Sequence, residues 1–199
     1  MATRLSRAEQ VERNRELVLD AARRVFLERG YAGATLEAIA EEAGFSKGVV
    51  YSQFSGKSDL FLALLQRRIV ERAEENARLA ADHAGLDGFR LLMRANARRN
   101  EEGRSGWSAL LIEFRVAAAR DPELNRRYAA LHTQAMDHFT DVIRDVLARG
   151  GWATVYPPRV FAELIFAVDA GRILERAAGT SVLDVDTIDD LVARLVVPL

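Results

Sequence analysis

An all-α fold is what this sequence predicts, and three observations carry the prediction. Apolar residues recur at spacings of three and four nearly everywhere along the 199 residues. Alanine, leucine, arginine and glutamate, all strong helix formers, are plentiful. Only four prolines interrupt the chain, and few segments carry the alternation of a strand. With 49% hydrophobic and 29% charged residues, the chain can bury a core and is not a disordered segment. It has room for one ordinary domain, or for a small one joined to a larger one.

The same composition excludes several kinds of chemistry. Without cysteine there are no disulfides, thiolate zinc sites, iron–sulfur clusters or cysteine nucleophiles, and a reducing cytoplasm suits the chain. No apolar run approaches the roughly 20 residues of a membrane span. The opening Met1-Ala2-Thr3-Arg4-Leu5-Ser6-Arg7 has no signal core. A cytoplasmic protein with no membrane partner is therefore expected. The net charge of −1 leaves nucleic acid open, because local charge decides binding.

The elements follow in order. Ser6-Arg7-Ala8-Glu9 fits a capping box for a first helix, which buries Val18, Ala21, Ala22, Val25 and Phe26 and ends at Gly30 in a left-handed cap. Thr35 caps a short second helix with Leu36, Ile39, Ala40 and Ala43 inward, and Gly44 stops it. Ser46 caps a third, from Lys47 to about Phe54. A fourth starts near Ser58-Asp59 and runs toward residue 80, roughly 35 Å. After the loop at His83 to Leu86, helices are expected over 87–99, 106–120, 122–149, 158–178 and 186–196, nine in all. Asp121-Pro122 marks one start clearly. Beyond it Leu124, Tyr128, Leu131, Ala135, Phe139, Val142 and Val146 form one buried stripe.

Residues 35–54 are the informative stretch. Two short helices joined by a tight Gly44-Phe45-Ser46 turn make a helix-turn-helix, whose second helix fits a DNA major groove ~12 Å wide. Val50 and Phe54, spaced i and i+4, face the core. Lys47, Gly48, Val49, Ser52 and Gln53 then point away from it, with Tyr51 at the border. From Ala43 to Ser58 there are two lysines and no acid, so this face is expected to be locally positive. Lys57 stands just before the fourth helix, where its charge would join the helix N-terminus at a phosphate. The arginines before the first helix suit an arm along the backbone of the DNA.

These residues resemble the TetR (tetracycline-repressor-like) family of bacterial transcription regulators. The likeness runs through Ala21-Ala22, Phe26, Gly30-Tyr31, Thr35, Ile39-Ala40, Ala43-Gly44, Ser46-Lys47-Gly48, Tyr51, Phe54, Lys57 and Leu60. It implies a three-helix DNA-binding head over 1–58, a connecting helix over 59–82, and a ligand-binding and dimerisation body over 83–199. It further implies a homodimer reading a palindromic double-stranded operator, and usually a repressor released by a small molecule. Carried over by position, Lys47, Gly48 and Ser52 fall where members read base edges, and Thr35, Tyr51, Gln53 and Lys57 where they hold phosphates. Val49 replaces a common threonine, which favours a methyl contact to thymine. Glu37 stands where some members place a base-reading arginine, and that role does not transfer.

In the body, Phe89, Met93, Trp107, Leu110, Phe114, Met136, Phe139 and Phe166 read either as packing or as the lining of an effector pocket. Glu113, Arg115, His132, Asp137 and His138 are its polar candidates. Val160, Phe161, Leu164, Ile165 and Val168, then Ile188, Leu191, Val192, Leu195 and Val196, give the last two helices apolar faces broad enough for a dimer interface. Catalysis has no visible machinery. Gly56-Lys57-Ser58 lacks the first glycine of a phosphate-binding loop, where Tyr51 stands. Gly103-Arg104-Ser105-Gly106-Trp107 fails as a nucleophile elbow. Alanine stands three residues before His83, His132 and His138, so no Glu-x-x-His metal pair exists. Neither metal nor cofactor is expected. The competing reading is a helical small-molecule-binding protein with no DNA role.

Overall fold

The computed structural model describes residues 6–101, 106–179 and 184–199. Among them the order is α1 (Arg7–Gly33), α2 (Leu36–Ala43), α3 (Lys47–Tyr51), α4 (Lys57–Ala81), α5 (Gly85–Glu101), α6 (Trp107–Ala118), α7 (Pro122–Arg149), β1 (Trp152–Thr154), α8 (Pro158–Ala177), α9 (Val185–Ala193) and β2 (Val196–Pro198). The all-α expectation holds, with a two-stranded ribbon added.

Most boundaries follow local chemistry. Ser6 and Glu9 close the capping box in both directions, Thr35 Oγ1 accepts from the Ala38 N–H at 3.2 Å, and the Asp121 carboxylate takes the N–H groups of Glu123 and Leu124. Gly44 ends α2 with φ of 70°, a conformation that costs any side chain with a Cβ. Ser46 caps α3 only with its backbone, because its side chain makes no cap bond. Three boundaries differ from expectation. Helix α3 stops at Tyr51, although Phe54 N–H still reaches the Val50 carbonyl. Helix α4 begins at Lys57 behind an extended Gly56. Gly30 has φ of 70° but ψ of 173°, so it kinks α1 where a cap was expected, and one more turn follows through Gly33.

The largest correction lies at the end of the chain. The helix expected over 186–196 stops at Ala193, and Val196–Pro198 pairs antiparallel with Trp152–Thr154. Strands of three residues are too short to show alternation in a sequence. The pairing is decided by the backbone partners that the Gly150-Gly151 turn brings alongside.

Two cores hold the molecule. One joins Val18, Ala22, Phe26, Ile39, Val50, Phe54 and Phe61 to Leu110 and Phe114 of α6 and Tyr128 of α7. The second collects Phe89, Ile143, Val146, Leu147, Phe161, Val192 and Val196. Phe61 is the hinge of the first, stacked on Phe114 at 4.2 Å and edge-on to Phe26 at 5.2 Å and Tyr31 at 5.3 Å. The α7 stripe is realised, with Met136, Ile143 and Leu147 buried beside it.

Candidate nucleic-acid interface and ligand cavity

Helix α3 presents its outer face to solvent because Val50 and Phe54 anchor its inner one, at 0% and 1% exposure. Arg15 lies over the Phe54 ring at 4.6 Å and backs the helix from α1. Lys47, Gly48, Tyr51 and Ser52 are exposed, as the periodicity requires, while Val49 and Gln53 are half-buried. The Gln53 amide oxygen is covered and has no partner among the described residues. Gly48 has an ordinary helical backbone, and a Cβ there would meet only Ser46 Oγ at 3.8 Å. Nothing inside the protein requires glycine at this position. The Thr35 hydroxyl accepts a cap bond, so its proton remains to donate outward.

The charges are arranged differently from the expectation. Lys47 Nζ lies 3.3 Å from Glu37 Oε1. The Glu37 carboxyl is held below its ordinary range by its own backbone N–H, then by Lys47, with a further bond from Tyr51. Lys47 and Tyr51, two residues on the outer side of α3, are thus held by an acid on α2. Lys57 is turned inward: its ammonium donates to the carbonyls of Tyr31 at 2.8 Å and Ala32 at 3.0 Å and sits over the Tyr31 ring. The expected phosphate role of its side chain is corrected accordingly, since its ammonium is held by two carbonyls at the end of α1. The arm at Arg4 falls outside the described residues, while Arg7 is exposed at the start of α1.

That same turn is gripped from the other side. The Glu113 carboxylate on α6 accepts from Tyr31 N–H at 2.9 Å and Ala32 N–H at 2.8 Å. It acts as a cap supplied by a distant helix. A Cβ at Gly30 would stand 2.8 Å from Glu113 Oε2, so glycine is needed there for both space and φ. Asp59 adds a second tie, accepting from Ser55 N–H and pairing with Arg127 of α7 at 2.6 Å.

On the opposite side of α6 lies a cavity of about 260 Å³ between α4 and α9. Met93, Trp107, Met136, Phe139 and Phe166 line it, as expected. Phe89, Leu110 and Phe114 do not. Leu110 and Phe114 turn to the first core, and Phe89 packs on Phe161 at 5.7 Å in the second. Of the polar candidates Arg115, His132 and His138 reach the cavity, Glu113 faces the head, and Asp137 pairs with Arg159 at the surface. His132 is pushed below its ordinary pKa by burial, then by the charges of Arg115 and Arg159. It is neutral near pH 7. Sequence reasoning missed Asn76, Arg172 and Asp189, which are 4%, 3% and 5% exposed and line the cavity. The available signal was Asp169-x-x-Arg172 inside the apolar run from Ile165 to Ile173, an i,i+3 ion pair at 3.0 Å.

Helix-turn-helix, outward third helix and a cavity behind α6 now stand beside the comparisons. Residues 18–64 match the family model described as bacterial regulatory proteins, tetR family. The HTH-type transcriptional repressor AcnR of Corynebacterium efficiens is 31% identical over 183 residues, covering 90% of each chain. The chain belongs to the tetR family. It is a helix-turn-helix transcriptional regulator. The HTH-type transcriptional activator FasR of Mycolicibacterium smegmatis is 30% identical over 170 residues, or 81% of this chain and 71% of that one. Among solved structures, Bacillus subtilis FadR in complex with stearoyl-CoA superposes with a TM-score of 0.71 at 17% identity, covering 90% of this chain and 96% of that one. SmeT, the repressor of the Stenotrophomonas maltophilia efflux pump SmeDEF, gives 0.60 at 25%, covering 90% and 85%. In this regulator no described helix is long and apolar enough to cross a membrane. No described cluster of His, Cys, Asp and Glu suits a metal.

Proposed function

We propose that this regulator is a repressor that occupies a palindromic operator as a homodimer and is released when a small molecule fills the α4–α9 cavity. The head is residues 1–58, the connecting helix 59–82 and the body 83–199. One observation carries the reading: α6 is shared. Its Trp107, Leu111 and Arg115 face the cavity, while its Glu113 holds the turn that ends α1. A ligand that moves α6 therefore moves the head without touching it. Release requires unequal ligand affinity for the two states, and a coupling of about 1–3 kcal/mol corresponds to about 5–150-fold.

In this reading Lys47, Gly48, Val49 and Ser52 approach base edges, and Thr35, Tyr51 and Gln53 approach phosphates. Two heads must stand about 34–36 Å apart to enter successive major grooves. For the dimer, α8 offers Val160, Leu164, Ala167, Gly171 and Leu174, spaced 4, 3, 4 and 3 and all exposed. A Cβ at Gly171 would meet nothing within 4 Å, which leaves room for a partner helix. Of the last helix, only Leu191 is offered, at 53% exposure. The expected face through Val192 and Val196 is spent on the protein's own second core.

Footprinting on the DNA beside its own gene tests the proposal. Protection of a palindrome that weakens with salt supports it, and no protection at low salt, together with no palindrome selected from random DNA, refutes it. Arginine at Leu164 and Leu174 should give monomers by light scattering. A dimer that survives both substitutions places the interface elsewhere.

A further inference from the structure

The cavity has five arginines in its wall, Arg68, Arg72, Arg94, Arg115 and Arg172, against two aspartates. Four of the five meet carboxylates. Arg68 has Glu71 at 3.5 Å, Arg72 has Glu75 at 3.7 Å, Arg94 has Asp189 at 3.0 Å and Arg172 has Asp169 at 3.0 Å. Arg115 is different. Among the described residues it has no carboxylate partner, and its guanidinium lies 5.3 Å from the Phe166 ring centre and 5.8 Å from that of Tyr128. A guanidinium does not lose its proton in a protein, and ring faces compensate only part of its lost hydration.

The surroundings match an anion in other ways. His132 stacks on Tyr128 at 5.8 Å and edge-on to Phe166 at 5.1 Å, so it shares the two rings that hold Arg115. A neutral imidazole has one N–H to donate. Between the charged and amide groups the wall offers apolar surface, with Met93, Met136, Ile165 and Ile173 among its members. Asp189 offers something weaker. One of its oxygens is buried and unpartnered, but Arg94 balances its charge, so it supplies a hydrogen-bond acceptor and no net attraction for a cation.

On the reading that this cavity is the effector site, we propose that its ligand is a small organic carboxylate with an apolar body, its carboxylate bound by Arg115. The fork of the guanidinium takes both oxygens, and the aromatic and thioether side chains take the body. At about 260 Å³, the space lies just below the usual ~300–1,000 Å³ of ligand sites, so the ligand is smaller than drug-sized. Arg115 and Glu113 are two residues apart on α6, which puts the ligand's charge about half a turn from the grip on the head.

Titration calorimetry of the intact protein tests this with two matched series: phenylbutyrate, phenylbutyramide and phenylbutylamine, and decanoate, decanamide and decylamine. At least one carboxylate should bind more tightly than its own amide by on the order of ten- to hundredfold, as a charge-assisted bond to arginine requires. Arg115→Gln should erase that preference while the amide binds as before; Arg115→Lys should retain part of it. The proposal is overturned if an amide or amine binds as well as its carboxylate, if Arg115→Gln leaves the preference intact, or if no probe binds at millimolar concentration. Preference for an amine would place the ligand's charge on Asp189. Salt-dependent DNA binding, measured separately by anisotropy without ligand, keeps the two readings apart. Carboxylate selectivity without DNA binding sinks the regulatory proposal and spares this one, and the reverse result does the opposite.

Discussion

The head and the body are both bundles of helices, yet they use charge in opposite ways. In the head, the acid–base pairs stay on the outside: Arg24 with Glu42 and Lys47 with Glu37 are exposed, where such pairs add little to stability. In the body, Arg172 and Asp189 are buried against partners on the cavity wall, where breaking a pair is costly. The difference separates a surface built to meet a charged polymer from an interior built to enclose a small molecule. The two are not independent, because Phe61 and Glu113 tie them at the end of α1.

The largest expected effect tests that tie. Phe61→Ala should cost about 3–5 kcal/mol in urea unfolding, the usual loss for a buried aromatic side chain. In the unsubstituted protein head and body should unfold in one transition; two separate transitions there would show that the shared core does not couple them. Next, Glu113→Gln should lose about 1–2 kcal/mol, since an amide cannot accept from both N–H groups. It should leave ligand affinity nearly unchanged while weakening the ligand's effect on DNA, read by anisotropy with and without effector. Equal coupling in the variant would end the role given to this contact.

Gly48→Ala sharpens the contrast because its two effects have opposite signs. Alanine in a helix interior should add about 0.5–1 kcal/mol of stability, and the space around Gly48 accepts it. Operator affinity should fall, because the added methyl stands where the groove must approach; unchanged affinity would remove Gly48 from the interface. Lys47→Ala should change stability by less than about 0.5 kcal/mol and relax the base preference at the position it faces, read by binding to operators substituted there.

The smallest effect is in pH. His132 has its folded pKa lowered from 6.5, first by burial, so the unfolded chain takes up the proton first. Stability should therefore decline as pH falls below 6.5 toward the folded value, and level off beneath it. The Glu37 and Asp59 carboxyls are both lowered, and the stability they add is lost only at more acid pH, as each is protonated through its folded pKa. His132→Asn should flatten the first decline and leave the second, as thermal melts across pH would show.

Much of the head was legible because its signals are local. The Ser6 and Thr35 caps, the Gly44 stop and the Val50–Phe54 spacing each concern residues within one or two turns. The cavity was half legible. Aromatic residues at helical spacing could equally be core or lining, and only the placement of α6 decided that Leu110 and Phe114 are core while Trp107 borders both the first core and the cavity.

By itself the sequence determined where the helices lie, the caps that begin several of them, and which side of α3 faces out, since periodicity and capping act over a few residues. Only the tertiary structure decided what each charge does. Lys57 was drawn to carbonyls 25 and 26 positions earlier, and Glu113 to N–H groups 81 and 82 positions earlier. Arg115 was left between rings from two other helices. A charge takes its role from whatever stands opposite it, and that partner is brought there by the packing of the whole chain.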